Sequence, residues 1–203
     1  MNDERNFDSN RTAPQSIARR PYLTSIGVAT AGMVGLAGCL GNDTGTLHTY
    51  VTDQPGDIAD FESCVVHIDG MWLGPEEAES GDEETEPSDR ERYDFDEPQQ
   101  ADLVELQDGE TQLIDDRELE PATYEFLQLD IDDIDATLTN GDSATVEVPG
   151  EAPLTFNHEF EIRSGTTTGF TADFTPVQRG ATEEYVLQPV PEGITVTYDN
   201  EDE

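Results

Sequence analysis

Runs of alternating apolar and polar residues recur along most of the chain. Between residues 61 and 73, for example, Cys64, Val66 and Ile68 fall on one face of an extended chain and His67 falls on the other. A period of two residues is the pattern of a half-buried β-strand. The pattern predicts strands over residues 46–52, 61–73, 101–106, 124–131, 145–148, 160–162, 170–174, 185–187 and 194–198.

Residues that favour turns separate these runs. Pro55 and Gly56 follow the first run, and Asn140 with Gly141 predicts a two-residue type I′ hairpin, in which both central residues need a positive φ. No window has a sustained helical period. Many short strands with such turns predict an all-β domain over residues 46–198, namely an antiparallel β-sandwich of the immunoglobulin-like or prealbumin-like kind. Residues 199–203 form an acidic tail.

One segment inside this domain has a different composition. Residues 74–98 contain twelve acidic residues and two arginines, and almost nothing apolar before Tyr93. Such a segment cannot bury enough apolar surface to compensate for the entropy that it loses on ordering. We therefore predict an acidic, disordered insertion over residues 74–98, between two strands of the domain.

The charge of the chain is strongly negative. It has 47 acidic residues against nine basic ones, all of them arginine, and a net charge of −38. Carboxylates at this density repel one another in dilute buffer, but at molar salt the Debye length falls to about 3 Å. The composition therefore favours a protein of a salt-loving organism. The same charge excludes nucleic acid as a partner, because phosphate would be repelled.

The first 39 residues have the order of parts found in an export signal. Arg19 and Arg20 form the pair that is typical of twin-arginine export. The uncharged, moderately apolar segment over residues 22–37 suits a signal core and is short for a membrane span. Small residues before Cys39 complete a lipobox, which predicts that Cys39 becomes the lipidated N-terminus of the mature protein.

These features divide the N-terminal part of the chain. Residues 1–38 are predicted to be a twin-arginine signal peptide with a lipobox, and residues 39–45 a lipidated tether. Asn42 begins an N-glycosylation pattern, for which a glycan and an unmodified linker are equal alternatives. The chain has two cysteines, so a lipid on Cys39 leaves Cys64 without a partner and excludes a disulfide within the monomer.

Several motifs of the domain resemble one uncharacterised family, domain of unknown function 4382. They lie at residues 45–57, 103–109, 121–124, 170–174 and 185–190, and the resemblance spans roughly Gly45 to Val190. It implies an exported lipoprotein of a bacterium or, with this composition, of a halophilic archaeon, and it implies a β-sandwich. The family has no established activity, so the resemblance implies no catalytic residue.

The sharpest candidate for metal chemistry is a copper centre. Cys64, His67 and Met71 follow one another in the order of a blue-copper ligand loop, with His48 upstream. The alternative is a buried cysteine, a half-exposed histidine and a buried methionine in one continuous strand. We favour the alternative, because three residues of extended chain place Cys64 and His67 on opposite faces.

Acidic residues offer further candidates. An EF-hand loop is excluded for the cluster at 130–135, because Ile134 stands where an oxygen ligand is needed; a loose surface cation site and a solvated face remain. Asp53 and Asp57 flank the Pro-Gly turn, and Asx-type turn capping explains both. Trp72 is predicted in the core or at its rim, with a carbohydrate-stacking surface as the alternative.

The sequence as a whole predicts a membrane-anchored, surface-exposed lipoprotein on the extracellular face of the cytoplasmic membrane. Its β-sandwich is interpreted as a non-catalytic binding or structural module of unknown ligand. The expected partners are the membrane, through the lipid on Cys39, and a cell-surface protein or glycan. No cofactor is expected. The alternative functions are a copper-binding electron-transfer lipoprotein using Cys64, His67, Met71 and His48, and a hydrolase with an acidic pair in a cleft.

Overall fold

The computed structural model describes residues 44–75, 90–180, 182 and 184–200. Within these ranges the chain is almost entirely β-structure, which confirms the all-β prediction. None of the described residues belongs to a helix with the length and apolar character needed to span a membrane. The strands are β1 (Gly45–Thr52), β2 (Phe61–Pro75), β3 (Glu91–Asp102), β4 (Gln112–Leu119), β5 (Ala122–Leu138), β6 (Ser143–Glu147), β7 (Leu154–Ile162), β8 (Thr166–Gln178), β9 (Glu184–Pro189) and β10 (Thr195–Asn200).

Short 3-10 helices occupy some of the connections, at Ile58–Asp60, Leu103–Gly109, Pro149–Glu151 and Pro191–Gly193. The strands form one sheet in the order β3-β2-β5-β6-β9-β8-β1-β4, while β7 also pairs with β5 and β10 also pairs with β8. The sheet curls until its two end strands nearly meet. There the Gln112 amide nitrogen donates to the Gln100 carbonyl at 2.6 Å, and the Arg117 guanidinium lies 4.5 Å from the Tyr93 ring centre.

The sheet is mixed, whereas the sequence predicted an antiparallel one. β1 runs parallel to β8, and β6 runs parallel to β9; the other pairings are antiparallel. The β6–β9 pair also joins the two layers, so the sandwich is a nearly closed barrel rather than two separate sheets. Alternation of apolar residues fixes which face of a strand is buried, but it contains no information about strand direction.

The core lies inside the curled sheet and is rich in aromatic residues. The Phe160 ring lies 5.3 Å from the Tyr124 ring and 5.0 Å from the Phe170 ring, and Phe156 lies 6.0 Å from Phe174. All five side chains are buried. Aromatic pairs at these spacings contribute about 0.5–1.5 kcal/mol each beyond the burial of their area. The predicted inward face of β2 is confirmed, because Cys64, Val66 and Ile68 are fully buried.

The predicted insertion at residues 74–98 is too long. Gly74 and Pro75 end β2, and β3 begins at Glu91, so only residues 76–89 of the insertion lie outside the described residues. β3 is an edge strand whose acidic side chains face solvent. Tyr93 opposes Met71 on β2, and both Tyr93 and Phe95 pack against the core. Two well-placed aromatic residues therefore order a segment whose composition indicated disorder.

The predicted strand at residues 101–106 is also wrong, since a 3-10 helix begins at Leu103. One Asp102 carboxylate oxygen accepts the backbone N–H of Val104 at 3.1 Å and that of Cys64 at 3.0 Å. This side chain caps the helix and ties it to β2. The apolar residues Leu103 and Leu106 are buried, as expected of the alternation, but on a helical turn.

The hairpin at Asn140 and Gly141 exists with a different turn. Gly141 has φ +87°, whereas Asn140 does not have a positive φ. The Gly141 N–H donates to the Leu138 carbonyl, and the Leu138 N–H donates to the Asp142 carbonyl, both at 2.8 Å. The loop therefore has three residues, with glycine in the left-handed region, instead of the type I′ turn predicted.

Candidate functional site

The four copper candidates do not converge in the structure. Cys64 and Met71 are fully buried in the core. His67 lies on the outer face of β2, where its Nε2 is 3.0 Å from Asp135 Oδ2. His48 lies on β1, in the other layer of the sheet, and alternates with buried neighbours. The two sulfur donors and the two imidazoles thus lie on opposite sides of the sheet surface, as the spacing of Cys64 and His67 predicted.

The surroundings of Cys64 keep its thiol protonated. Burial, together with the nearby Asp102 and Asp53 carboxyl groups, raises the pKa of Cys64 to about 12. The thiolate is the form that binds metal and reacts with electrophiles, so a thiol of this pKa is inert at neutral pH. Met71 Sδ accepts a hydrogen bond from Thr49 Oγ1 at 3.7 Å. Both sulfur atoms therefore have a structural explanation.

The structure does not describe the residues of the predicted export signal and modification sites. Arg19, Arg20, Cys39 and Asn42 all lie outside the described residues. Their roles as export signal, lipidation site and glycosylation site remain predictions from the sequence.

The acidic cluster at 130–135 is spread over the outer surface. Arg92 forms an ion pair with Asp130, and the His67 imidazole contacts the Asp135 carboxylate. Asp132 and Asp133 are exposed to solvent. In the part of the chain that the structure describes, no three side chains of the His, Cys, Asp or Glu type are placed to hold a metal ion. The solvated-face interpretation suits this arrangement.

Four of the five described arginines lie over aromatic rings. Arg90 and Arg92 lie 4.0 and 5.0 Å from the centre of the Trp72 ring, and Arg163 lies 4.0 Å from the Tyr198 ring. Such cation–π contacts contribute about 0.5–1 kcal/mol each at exposed sites. Trp72 lies half-buried on the outer face of β2, between the buried Met71 and Leu73, and its ring carries two guanidinium groups that a stacking sugar would have to displace.

Two buried acids, Asp53 and Asp173, lie where the turn after β1 meets β8. Asp53 comes directly after β1, and Asp173 lies in β8, paired with Thr52 in the parallel register. The Gln54 N–H donates to Asp173 Oδ1 at 3.0 Å, which brings the turn after β1 onto β8. Thr175 lies two residues beyond Asp173, on the same face of the strand.

Two connections enclose these side chains. On one side, two hydrogen bonds of Asp57 hold the turn over residues 53–57 against β8. The Asp57 carboxylate accepts the Gln178 N–H at 2.7 Å, and the Asp57 N–H donates to the Pro176 carbonyl at 3.1 Å. On the other side, Gly193 packs directly on Asp173, so closely that a Cβ at this position would overlap the carboxylate. A residue with a side chain at position 193 could not adopt this arrangement.

The enclosed side chains are buried and largely unpaired. Asp53 is 2% exposed, Asp173 is fully buried and Thr175 is 7% exposed. Both carboxylate oxygens of Asp53, Oδ2 of Asp173 and Oγ1 of Thr175 have no hydrogen-bond partner among the described residues. Unpaired buried carboxylates are costly, since a charged group loses its hydration without a replacement. Four such oxygen atoms in one region call for a physical explanation.

Burial changes the acidity of both carboxyl groups. Desolvation raises the pKa of Asp53 from 3.8 to about 7; the nearby Thr175 hydroxyl opposes this shift and the Asp173 carboxylate adds to it. Desolvation likewise raises the pKa of Asp173 to about 6, and hydrogen bonding from Gln54 opposes the shift. The effects of Asp173 and Thr175 on Asp53 indicate that these three side chains form one cluster, which we call the buried carboxyl site.

The sequence analysis assigned these acids wrongly or not at all. Asp57 does stabilise the turn, through Gln178, but the Asp53 carboxylate accepts no hydrogen bond from the backbone of the turn. Asp173 was identified only as a member of a family motif. The signal that could have found the site is that Asp53 and Asp173 belong to two of the motifs that carry the resemblance, which the fold brings together.

Comparison with known proteins gives one match. No curated protein and no solved structure matches this chain. A family described as a domain of unknown function matches residues 44–189, which is most of the chain and includes the whole buried carboxyl site. The chain therefore belongs to the DUF4382 family, whose description is "Domain of unknown function (DUF4382)".

Proposed function

We propose that this protein is an exported lipoprotein of a halophilic archaeon. A lipid on Cys39 would hold it at the extracellular face of the cytoplasmic membrane, and its DUF4382 domain would be a non-catalytic binding or structural module. The observation that carries the proposal is the order of the N-terminal parts. Arg19 and Arg20, the apolar segment and the lipobox come in sequence, and the first strand starts at Gly45, six residues after Cys39.

The chemistry of the domain favours binding over catalysis. Asp53, Asp173 and Cys64 are buried, so a substrate could not reach them without displacing the enclosing turns. The outer surface carries many carboxylates. They would suit a partner with positively charged groups, or one that binds through cations shared between the two surfaces at high ionic strength. A single acyl chain gives only marginal membrane binding, so we expect a two-chain lipid on Cys39.

Membrane fractionation in a haloarchaeal host tests the proposal. Wild-type protein should sediment with membranes and dissolve in detergent. Cys39→Ser should be released or remain unprocessed, and the double variant Arg19→Lys with Arg20→Lys should stay inside the cell. Cys64→Ser is the matched control, because it removes the only other cysteine and should leave the fractionation unchanged. Membrane association of Cys39→Ser equal to that of the wild type would contradict the proposal.

A further inference from the structure

We propose that the buried carboxyl site, formed by Asp53, Asp173 and Thr175, binds a hard divalent cation of the Ca²⁺ class. This site is separate from the surface cluster at 130–135 and from the copper candidates, and it goes beyond the proposed anchoring function. It rests on the unpaired oxygen atoms of three buried side chains and on the contacts that hold those side chains together.

Three of the four unpaired atoms in the site can only accept hydrogen bonds. The two Asp53 oxygens and Asp173 Oδ2 are carboxylate acceptors, whereas Thr175 Oγ1 has one O–H to donate and two lone pairs available. A group that satisfies them must therefore be positive or a donor.

A cation and a shared proton differ in the charge that they leave in the site. A proton held between the two carboxyl groups, with the Thr175 hydroxyl donating to Asp53, would pair all four oxygens but would leave one net negative charge buried. A cation can contact several oxygens at once, and Ca²⁺ takes six to eight oxygen ligands at about 2.3–2.6 Å. One ion would therefore satisfy the whole set and offset the repulsion between Asp53 and Asp173.

The donor atoms and the charge of the site indicate which kind of ion it would bind. The donors are carboxylate and hydroxyl oxygens, which suit hard cations and are poor ligands for soft metals. Two carboxylates give a formal charge of −2, which one divalent ion balances. Cys64 could offer only sulfur, a soft donor that hard cations do not favour. Mg²⁺ is a weaker candidate, since it demands near-ideal octahedral geometry at about 2.0–2.1 Å, whereas Ca²⁺ tolerates irregular sets of oxygen ligands.

An ion bound at this site would also stabilise the fold. The site joins the turn after β1, strand β8 and the Pro191–Gly193 helix, which are distant in sequence. An ion that binds only the folded chain stabilises it by mass action. Ca²⁺ should therefore stabilise the contacts between these three segments, and its removal should destabilise all three at once.

Thermal unfolding of the full-length chain, with detergent if it is lipidated, tests the proposal. Chelator-treated protein in molar KCl is titrated with Ca²⁺, and with Mg²⁺ and extra KCl as controls for charge screening. We expect a Ca²⁺-specific rise in Tm and saturable binding at one site by calorimetry. Asp53→Asn and Thr175→Val should each lower the affinity of that site at least about tenfold. Asp132→Asn, which removes an exposed acid, should not.

The outcomes distinguish the proposal from its rivals. Both Asn and Val are close in shape to the residues they replace, and far-UV circular dichroism confirms that each variant is folded. If Asp53→Asn responds to Ca²⁺ as strongly as wild type does, the binding belongs to the acidic surface and the proposal is wrong. If the wild-type protein shows no saturable site, or if Mg²⁺ and KCl raise Tm equally, the proposal is also wrong.

Discussion

Replacing Asp53 by asparagine should change how the stability of the metal-free protein depends on pH. Burial raises the pKa of Asp53 from 3.8 to about 7, so between these values the folded chain keeps a proton that the unfolded chain has released. The stabilisation is complete below the unfolded pKa and is lost as the pH rises through about 7. At about 1.4 kcal/mol per pKa unit, the shift corresponds to about 4 kcal/mol.

Asn keeps the shape of the side chain and removes the titrating proton. Above pH 7, the metal-free Asp53→Asn variant should therefore be more stable than the wild type, by up to about 4 kcal/mol. Asp173 lies close enough to raise the pKa of Asp53, so the two carboxyl groups titrate as a pair. Removing Asp53 should also lower the pKa of Asp173, because it removes a neighbouring negative charge.

Urea unfolding followed by circular dichroism, in molar KCl with a chelator, measures this difference across the pH range. High salt screens the many surface carboxylates, which also titrate. Asp132→Asn is the control for the loss of one exposed negative charge. If wild type and Asp53→Asn lose stability in parallel as the pH rises, the Asp53 carboxyl is not buried as described and the reasoning is refuted.

Three further predictions concern the core, the surface and the turn that covers the site. Cys64 should react slowly with thiol reagents until the fold opens, because its pKa is raised to about 12, and Cu²⁺ should give no intense blue band; a band lost in both Cys64→Ser and His67→Ala would support the copper alternative instead. Transfer from molar salt to about 0.1 M, where the Debye length grows from about 3 to 10 Å, should lower Tm, and a constant Tm would show that surface repulsion does not limit stability. Gly193→Ala should destabilise the fold by about 1–3 kcal/mol in urea unfolding, because its methyl group would overlap the Asp173 carboxylate; an unchanged midpoint would contradict this packing.

Local sequence patterns were sufficient for the strands that alternate. The runs in β1, β2 and β8 place Leu47, Val66 and Phe170 in the core as predicted, because burial of one face is a local property of a strand. The parallel pairing of β1 with β8 could not be predicted in this way. It depends on which strands meet after more than a hundred residues of intervening chain.

The errors have related physical causes. Composition averaged over residues 74–98 hid the two aromatic residues, Tyr93 and Phe95, that order β3. The helix at Leu103 depends on Asp102, whose carboxylate also binds the backbone of a distant strand. Asp53 looks like an ordinary turn residue until β8 and Gly193 are placed beside it. The contacts of Tyr93 with β2, of Asp102 with Cys64 and of Asp173 with Gly193 join residues that are distant in sequence, so no local pattern contains them.

Intact-mass spectrometry of the protein extracted from haloarchaeal membranes tests whether the mature protein begins at a lipidated Cys39. We expect a mass that lacks residues 1–38 and exceeds that of the remaining chain by a two-chain lipid, with the modification mapped to Cys39 after proteolysis. A protein that retains residues 1–38 and carries an unmodified Cys39 thiol would show that it is not such a lipoprotein.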